Sequence, residues 1–378
     1  MEIQGSLLAR NALLNFLGLL LLGLTAILCI PFILRGLGAD AFGVFALAIV
    51  VVNYFSLFDL GLGRASTKFV AESLARRDHP EQLPRIVWTS LGIQLVLGIA
   101  GGIGLACSSS FLARSLFNIP VDLVDDAETT FLILGFVVPI IVGTATLRGT
   151  LEASQRFDLV NLVKIPTNAA TYVVPAVGAL WGFGLPAVML GIAVARVLGA
   201  LAYLWLCFRL YPSLRGKFSP DPTIFKSLLG FGSWVTISNI SSPILVYLDR
   251  VLIGSLISVA SVAYYTAPYE LATAMWILPV SIAATLFPAF STLGISSDPR
   301  LLGNLFVRPV KVILLTMGLV TLLLIIFAHD ILTVWLGDVL PDQSTTVLQI
   351  LAVGVLINSL SWVPTSLLLG IGRPDLPA

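Results

Sequence analysis

The chain has 378 residues, of which 57% are hydrophobic and 11% charged, less than half the charged share of about 25% found in ordinary soluble domains. With a mean hydropathy of +1.00 there is too little polar surface to coat a water-soluble globule, so a soluble enzyme is excluded. A net charge of +1 gives no footing for a nucleic-acid partner, and an integral membrane protein remains.

A helix needs about 20 apolar residues to cross a hydrocarbon core of roughly 30 Å. In chain order ten stretches qualify: Leu13–Leu34, Ala41–Phe58, Ile86–Cys107, Phe131–Leu147, Ile165–Trp181, Leu185–Phe208, Leu228–Leu248, Val262–Phe290, Val312–Ala328 and Val347–Leu369. These runs are continuous and do not alternate, so the fold class is all-α, a polytopic helix bundle, and not a barrel. The first run is too long for a signal-peptide core of about 7–15 residues, and no small-residue cleavage site follows it. Between spans two and three, Thr67–Arg76 reads as a short basic helix lying along the membrane surface. Span eight carries Pro268, Pro279 and Pro288 and is expected to bend.

The basic residues set the orientation. Seventeen Lys and Arg fall on the side of the N-terminus, three (Arg35, Arg114 and Arg250) fall on the other side, and Arg196 lies inside span six. The positive-inside rule then puts the N-terminus in the cytoplasm. One missed span would scramble this alternation.

A parallel repeat is also visible. A shift of 217 residues carries spans two, three and four onto spans eight, nine and ten, and carries Arg156-Phe157-Asp158-Leu159 onto Arg373-Pro374-Asp375-Leu376. An offset of six helices keeps both copies facing the same way. Residues 1–210 are therefore expected to form a six-helix lobe and 211–378 a second lobe with four helices. Spans five and six have no counterpart before Ala378, so a chain of at least twelve helices lacking its last two is expected.

Little here suits catalysis. Asp125-Asp126 and His329-Asp330 lie on the outer side, where no nucleotide sugar is found. Gly61-Leu62-Gly63 and Gly101-Gly102 lack the lysine and serine of a phosphate loop. Cys29, Cys107 and Cys207 have no metal or disulfide spacing, and two histidines are too few for a histidine-based site. No cofactor, metal or enzymatic activity is expected.

Transport has better material. Ten of the 21 prolines lie inside spans, and each frees a carbonyl that lipid cannot satisfy. Polar stripes at helical spacing run through Lys164, Asn168, Thr171 and Pro175 in span five, and through Gly232, Thr236, Asn239, Pro243 and Tyr247 in span seven. Span eight has Thr266, Glu270 and Thr273, and span ten has Asn358, Trp362 and Thr365. Hydrogen bonding between helices is the plain alternative for the Ser and Thr positions. The Asn, Glu and Trp positions point to a hydrated cavity.

Three segments carry a family likeness. Span two runs into Phe58-D-L-G-L-G-R-A-S-T-K-F-V-A-Glu72, span four into Arg148-G-T-L-E-A-S-Q-R-F-Asp158, and span seven into Leu248-D-R-V-L-I-G-S-L-I-S-V-A-S-V-A-Y-Y-T-Ala267, with Phe287-Pro288 further on. The chain resembles the polysaccharide (O-antigen type) flippases of the multidrug/oligosaccharidyl-lipid/polysaccharide exporter superfamily. The resemblance implies a two-lobed fold of twelve or fourteen helices, of which ten are present here. It implies alternating access in a bacterial cytoplasmic membrane, an undecaprenyl-diphosphate-linked oligosaccharide as substrate, and room for a proton or sodium as coupling ion. A drug or cation antiporter, a peptidoglycan-precursor flippase and, from another class, a membrane glycosyltransferase or polymerase are the rival readings.

Within that frame, Arg196 and Glu270 are the intramembrane charges. A charge at mid-helix costs about 2.5–3.5 kcal/mol on insertion scales and is rarely kept without a partner or a role. Their depths differ by about 4–5 Å at 1.5 Å per residue. Both are expected to face the central cavity with Asn168, Asn239, Tyr247 and Asn358, Arg196 attracting the diphosphate and Glu270 pairing with it when the site is empty. A permanent ion pair that fixes packing is the alternative. Arg35 and Arg250, with Asp249, are expected at the outer mouth, with local pairs Arg35–Asp40 and Asp249–Arg250 as the plain alternative.

Overall fold

The computed structural model describes residues 5–55, 62–75, 82–216, 220–228, 241–296, 299–337, 339 and 341–370. Every regular element among them is a helix. Chain contacts divide the protein into two compact units, Phe32–Ala263 and Met1–Pro31 with Tyr264–Ala378. The lobe boundary read from sequence, at residue 210, lies within the first of these.

The Phe32–Ala263 unit begins at the end of α1 (Gly5–Leu37). Gly38, at φ +82°, turns the chain into α2 (Ala39–Phe55), a left-handed backbone that suits glycine. Next come α3 (Leu62–Ala75), α4 (Gln82–Phe111), α5 (Val124–Ala153), α6 (Phe157–Leu180), α7 (Leu185–Leu210) and α8 (Ser241–Leu256). The tightest packing joins α4 to α5, where small residues let the backbones meet. A Cβ on Gly102 would lie 2.3 Å from the Gly135 carbonyl oxygen, and one on Gly98 would lie 2.7 Å from the Pro139 Cα.

The α3 segment does not begin where the sequence reading put it. It starts five residues earlier, and one face is buried through Leu62, Ala65, Ser66 and Val70. A polar ladder holds it there: the Ser66 and Ser90 hydroxyls are hydrogen bonded, Ser90 Oγ lies 2.9 Å from Thr146 Oγ1, and Thr146 Oγ1 donates to Gln94 Oε1 at 2.6 Å. Buried hydroxyls must find partners, and these find them across α3, α4 and α5. Its charges stay at the rim, with Lys68 and Glu72 both exposed and 3.9 Å apart.

At the far end of α8, Asn118 reaches over from the loop before α5. Its N–H donates to Gly254 O at 3.0 Å, and its side-chain amide donates to Ser255 O at 2.9 Å and Ile257 O at 3.3 Å. These are carbonyls that a helix end leaves without intrahelical donors.

The second unit contains the first part of α1 and the chain from Tyr264. Here span eight is two helices, α9 (Val259–Ala274) and α10 (Ile277–Ser296), broken at Met275-Trp276. Pro279 sits in the first turn of α10, where a missing N–H costs least, so the expected bend is a full break. Span ten is broken too, into α13 (Gln343–Ser359) and α14 (Trp362–Gly370), with Pro364 in the first turn of α14. The helices after the breaks pack together, and Ser366 Oγ donates to Ala283 O at 3.0 Å. Between them in sequence lie α11 (Pro299–Ile326) and α12 (Ala328–Leu336), and Trp335 Nε1 on α12 donates to Ile27 O on α1 at 2.7 Å.

Six described segments are long and apolar enough to cross a membrane: Phe16–Leu37, Gln82–Leu116, Val121–Ala153, Leu185–Leu210, Phe306–Ile326 and Gln343–Leu368. The remaining expected spans include shorter helices, and residues 229–240 of span seven lie outside the described residues. The count of ten is therefore a reading of the sequence.

Candidate functional site

Within the Phe32–Ala263 unit, one face of each of α5, α6 and α7 borders a cavity of about 330 Å³. The lining positions recur at helical spacing: Ile140, Thr144 and Arg148 on α5, Lys164, Thr167 and Asn168 on α6, and Arg196, Gly199 and Tyr203 on α7. Side chains three, four or seven apart share a helix face, so three stripes meet in one space.

The cavity is basic. Arg148, Lys164 and Arg196 line it, and among the described residues no carboxylate does. Arg196 Nη2 donates to Thr171 Oγ1 at 3.1 Å and Nη1 to Asn168 Oδ1 at 3.4 Å, both neutral partners. Arg148 Nε lies 3.3 Å from Glu152, one turn on. Lys164 forms no hydrogen bond or ion pair among the described residues. Thr144, Thr167 and Tyr203 direct their hydroxyls to the Ile140, Val163 and Val160 carbonyls, which leaves their oxygens as acceptors and the cations as the donors. Two or more positive charges in a low-dielectric recess favour an anion strongly.

Just outside, the turn from α5 to α6 is fixed by Arg156, whose Nε and Nη2 each donate to Asp158 at 2.9 Å. These bonds hold the Asp158 carboxyl below the usual carboxylate range, against the upward pull of its partial burial.

The structure thus brings two sequence-selected residues together, Arg196 and Asn168, through the Lys164-Asn168-Thr171 stripe. Glu270 belongs to the other unit, half-buried on α9. Tyr247 on α8 packs edge-on against Tyr54 at 5.8 Å. Asn358 is exposed near the end of α13, and its carbonyl accepts the Ser361 hydroxyl at 2.6 Å. Arg35 is exposed in the last turn of α1. Arg250 is not in a loop as expected: α8 continues to Leu256, and Arg250 is only 5% exposed, 6.0 Å above the Tyr247 ring. The Arg250 N–H donates to Asp249 Oδ1 at 2.7 Å. Asn239, Phe58 to Gly61 and the Arg373–Leu376 string lie outside the described residues.

Sequence reasoning missed Arg148 as a cavity residue, and it left Lys164 as a stripe member only. Both were counted as loop charges, because the apolar runs end at Leu147 and begin at Ile165 while the helices extend to Ala153 and from Phe157. The available signal was spacing: Thr144 and Arg148, like Lys164 and Asn168, are one turn apart. Among the described residues, no His, Cys, Asp and Glu cluster could hold a metal ion.

Solved structures with this helix arrangement belong to membrane transporters. The chain superposes on an inward-facing multidrug resistance MATE family transporter of the MOP superfamily with a TM-score of 0.77, at 19% identity, covering 93% of this chain and 82% of that one. The fold class is thereby fixed: an all-helical bundle with the helix arrangement of that transporter. The sequence profile of the polysaccharide biosynthesis protein family matches residues 8–293, and the chain belongs to that family. It is 28% identical over 373 residues to a putative O-antigen transporter of Shigella flexneri, covering 98% of this chain and 86% of that protein. It is 24% identical over 351 residues to the uncharacterized membrane protein EpsK of Bacillus subtilis (strain 168), covering 88% of this chain and 66% of that protein.

Proposed function

We propose that the protein moves an undecaprenyl-diphosphate-linked oligosaccharide from the cytoplasmic to the outer leaflet of a bacterial cytoplasmic membrane. The basic cavity carries this reading: three cations line it with no lining carboxylate among the described residues, in a family whose Shigella relative is named for O-antigen transport. A diphosphate and its hydrated sugars cannot enter hydrocarbon, and buried cations replace the water that the phosphates give up. A drug-cation antiporter on the same fold would be poorly served by such a recess.

The rest follows from the sequence. The seventeen-to-three split of basic residues supports a cytoplasmic N-terminus. The 217-residue repeat supports lobes at 1–210 and 211–378 that alternate access between the two sides. Arg196 and Asn168 are substrate contacts in this reading, and Asn239, Tyr247 and Asn358 are further cavity candidates. Glu270, the other intramembrane charge, is a candidate to couple transport to a proton or sodium ion. Arg35, Asp249 and Arg250 are candidates for the outer mouth. A strain lacking the gene tests the function: lipid-linked oligosaccharide should accumulate on the cytoplasmic leaflet and clear when the gene is restored. An unchanged leaflet distribution would refute it.

A further inference from the structure

The like charges that share the chamber of α5, α6 and α7 differ in how they can relieve their repulsion. Arg148 and Arg196 carry guanidinium groups, which stay charged throughout the range in which proteins fold. Tyr203 keeps its proton on the bond that it donates to the Val160 carbonyl at 3.0 Å. Lys164 carries an amine, and a lysine drawn out of water gives up its proton more readily than one in solution. Among the titratable side chains that line the chamber, Lys164 is therefore the one able to change its charge.

Its surroundings favour that change. Lys164 stands on α6 just ahead of the apolar run of span five, half-buried. Burial disfavours its charge most, Arg148 adds to that, and Glu152 works against both. Glu152 is already engaged, 3.3 Å from Arg148 Nε. Across the chamber on α7, Arg196 donates to Thr171 and Asn168, which are neutral, so its own charge is not cancelled there. An anion in the chamber reverses the balance, because an opposite charge within about 4–6 Å favours the charged amine.

We infer that Lys164 links anion binding to a proton: its amine is neutral while the chamber is empty and takes up one proton from water when an anion enters. This rests on the reading of the chamber as an anion site and adds what regulates it. The step forms one N–H bond at Nζ and no bond to the anion. A neutral Lys164 leaves the empty recess with Arg148 and Arg196 as its cations, which lowers the cost of holding charge among hydrocarbon. The third charge appears only together with the anion that offsets it. The sign follows by linkage. Anion affinity is highest where Lys164 is protonated even in the empty chamber, and it falls by up to about tenfold per pH unit above that point.

Sulfate is the probe, since it stays a dianion over the whole range while inorganic diphosphate titrates within it. Titration calorimetry on the full chain, held in nanodiscs of uncharged lipid, reads both affinity and proton uptake. From about pH 6 to about pH 10, below the usual lysine value of about 10.4, sulfate affinity should fall at least about fivefold. Titrations in two buffers of different ionisation heat should show a proton taken up on binding. Lys164→Arg fixes the charge, so its affinity should stay within about twofold over the same range, with no proton uptake. Lys164→Gln should bind more weakly than wild type at about pH 6 and be equally flat. The two replacements differ in charge, and either one that folds decides the point. A flat wild type, a slope or proton uptake that persists in either variant, or a wild type that binds no sulfate would overturn the inference. A proton-linked sulfate site in a protein whose deletion leaves the leaflet distribution unchanged would keep the inference and refute the flippase reading. Sulfate binding that ignores pH would refute the linkage and leave that reading standing.

Discussion

Asn118 and Gly254, 136 residues apart, are joined backbone to backbone by an N–H···O bond of 3.0 Å. The Asn118 side chain adds two bonds to Ser255 O and Ile257 O, so one residue covers three carbonyls at the end of α8. Replacing it with Ala keeps the first bond and removes the other two. At about 0.5–1.5 kcal/mol each, the loss should appear locally. Hydrogen exchange across residues 254–259 should quicken in Asn118→Ala, while α5 stays protected. Unchanged exchange there would mean that the side-chain bonds add nothing to the turn.

The Gly102–Gly135 approach predicts a steric failure. No rotamer helps when the Cβ itself would stand 2.3 Å from a carbonyl oxygen, so Gly102→Val must push α4 from α5. Overpacking of this kind costs about 1–3 kcal/mol or more. Gly104, two residues on, has nothing within 4 Å of its Cβ position. Gly104→Ala should be neutral or up to about 1 kcal/mol stabilising, since alanine is the better helix former. Thermal unfolding in detergent compares them, and similar losses in both would defeat the packing account.

The sequence made the helices legible and left their faces obscure. Apolar runs marked spans one to six because lipid demands long uninterrupted helices, and the prolines of span eight signalled its break. Pro364 sits in the same relation to the span-ten break at Leu360-Ser361, but a lone proline is too common in membrane helices to have signalled it. Arg196 and Asn168 were found because charge and amide stand out against hydrocarbon. Arg148 was missed because a count of loop charges stops where hydropathy stops, one to two turns before the helix does. The burial of Ser66, Ser90 and Thr146 depends on which way α3, α4 and α5 are rotated, and composition does not record rotation.

The Arg156–Asp158 bonds predict a pH dependence with a definite sign. Because the folded carboxyl titrates lower than the unfolded one, the pair contributes fully above the unfolded value of about 3.9. That contribution disappears as pH falls through the folded value. Both side chains are more than a third exposed, so the contribution is at most about 1 kcal/mol. Asp158→Asn should lower the melting temperature slightly and by a constant amount from about pH 8 to 5. The gap should close under more acidic conditions. A gap that widens on acidification would show the sign to be wrong.

Arg196 sets a functional demand against a structural cost. An arginine at mid-helix costs about 2.5–3.5 kcal/mol to place in a membrane, and hydrogen bonds from a charged donor return about 1.5–3 kcal/mol each. Only the Thr171 bond, at 3.1 Å, has good length, since the Asn168 contact is stretched to 3.4 Å. The two sides nearly cancel, so Arg196→Leu should unfold within a few degrees of wild type. Transport of the lipid-linked oligosaccharide should nevertheless fall at least tenfold, because the recess loses one of its three cations. Arg196→Lys keeps the charge and loses the planar fork, and it should retain transport within tenfold of wild type. Thr171→Ala removes the helix tie but not the charge, so it should cost about 1.5–3 kcal/mol of stability and little transport. A clamp that merely joins α6 to α7 predicts the reverse order, with Lys and Leu alike in transport and both well below wild type in melting temperature. Melting curves and leaflet assays on the three variants decide between an anion site and a brace.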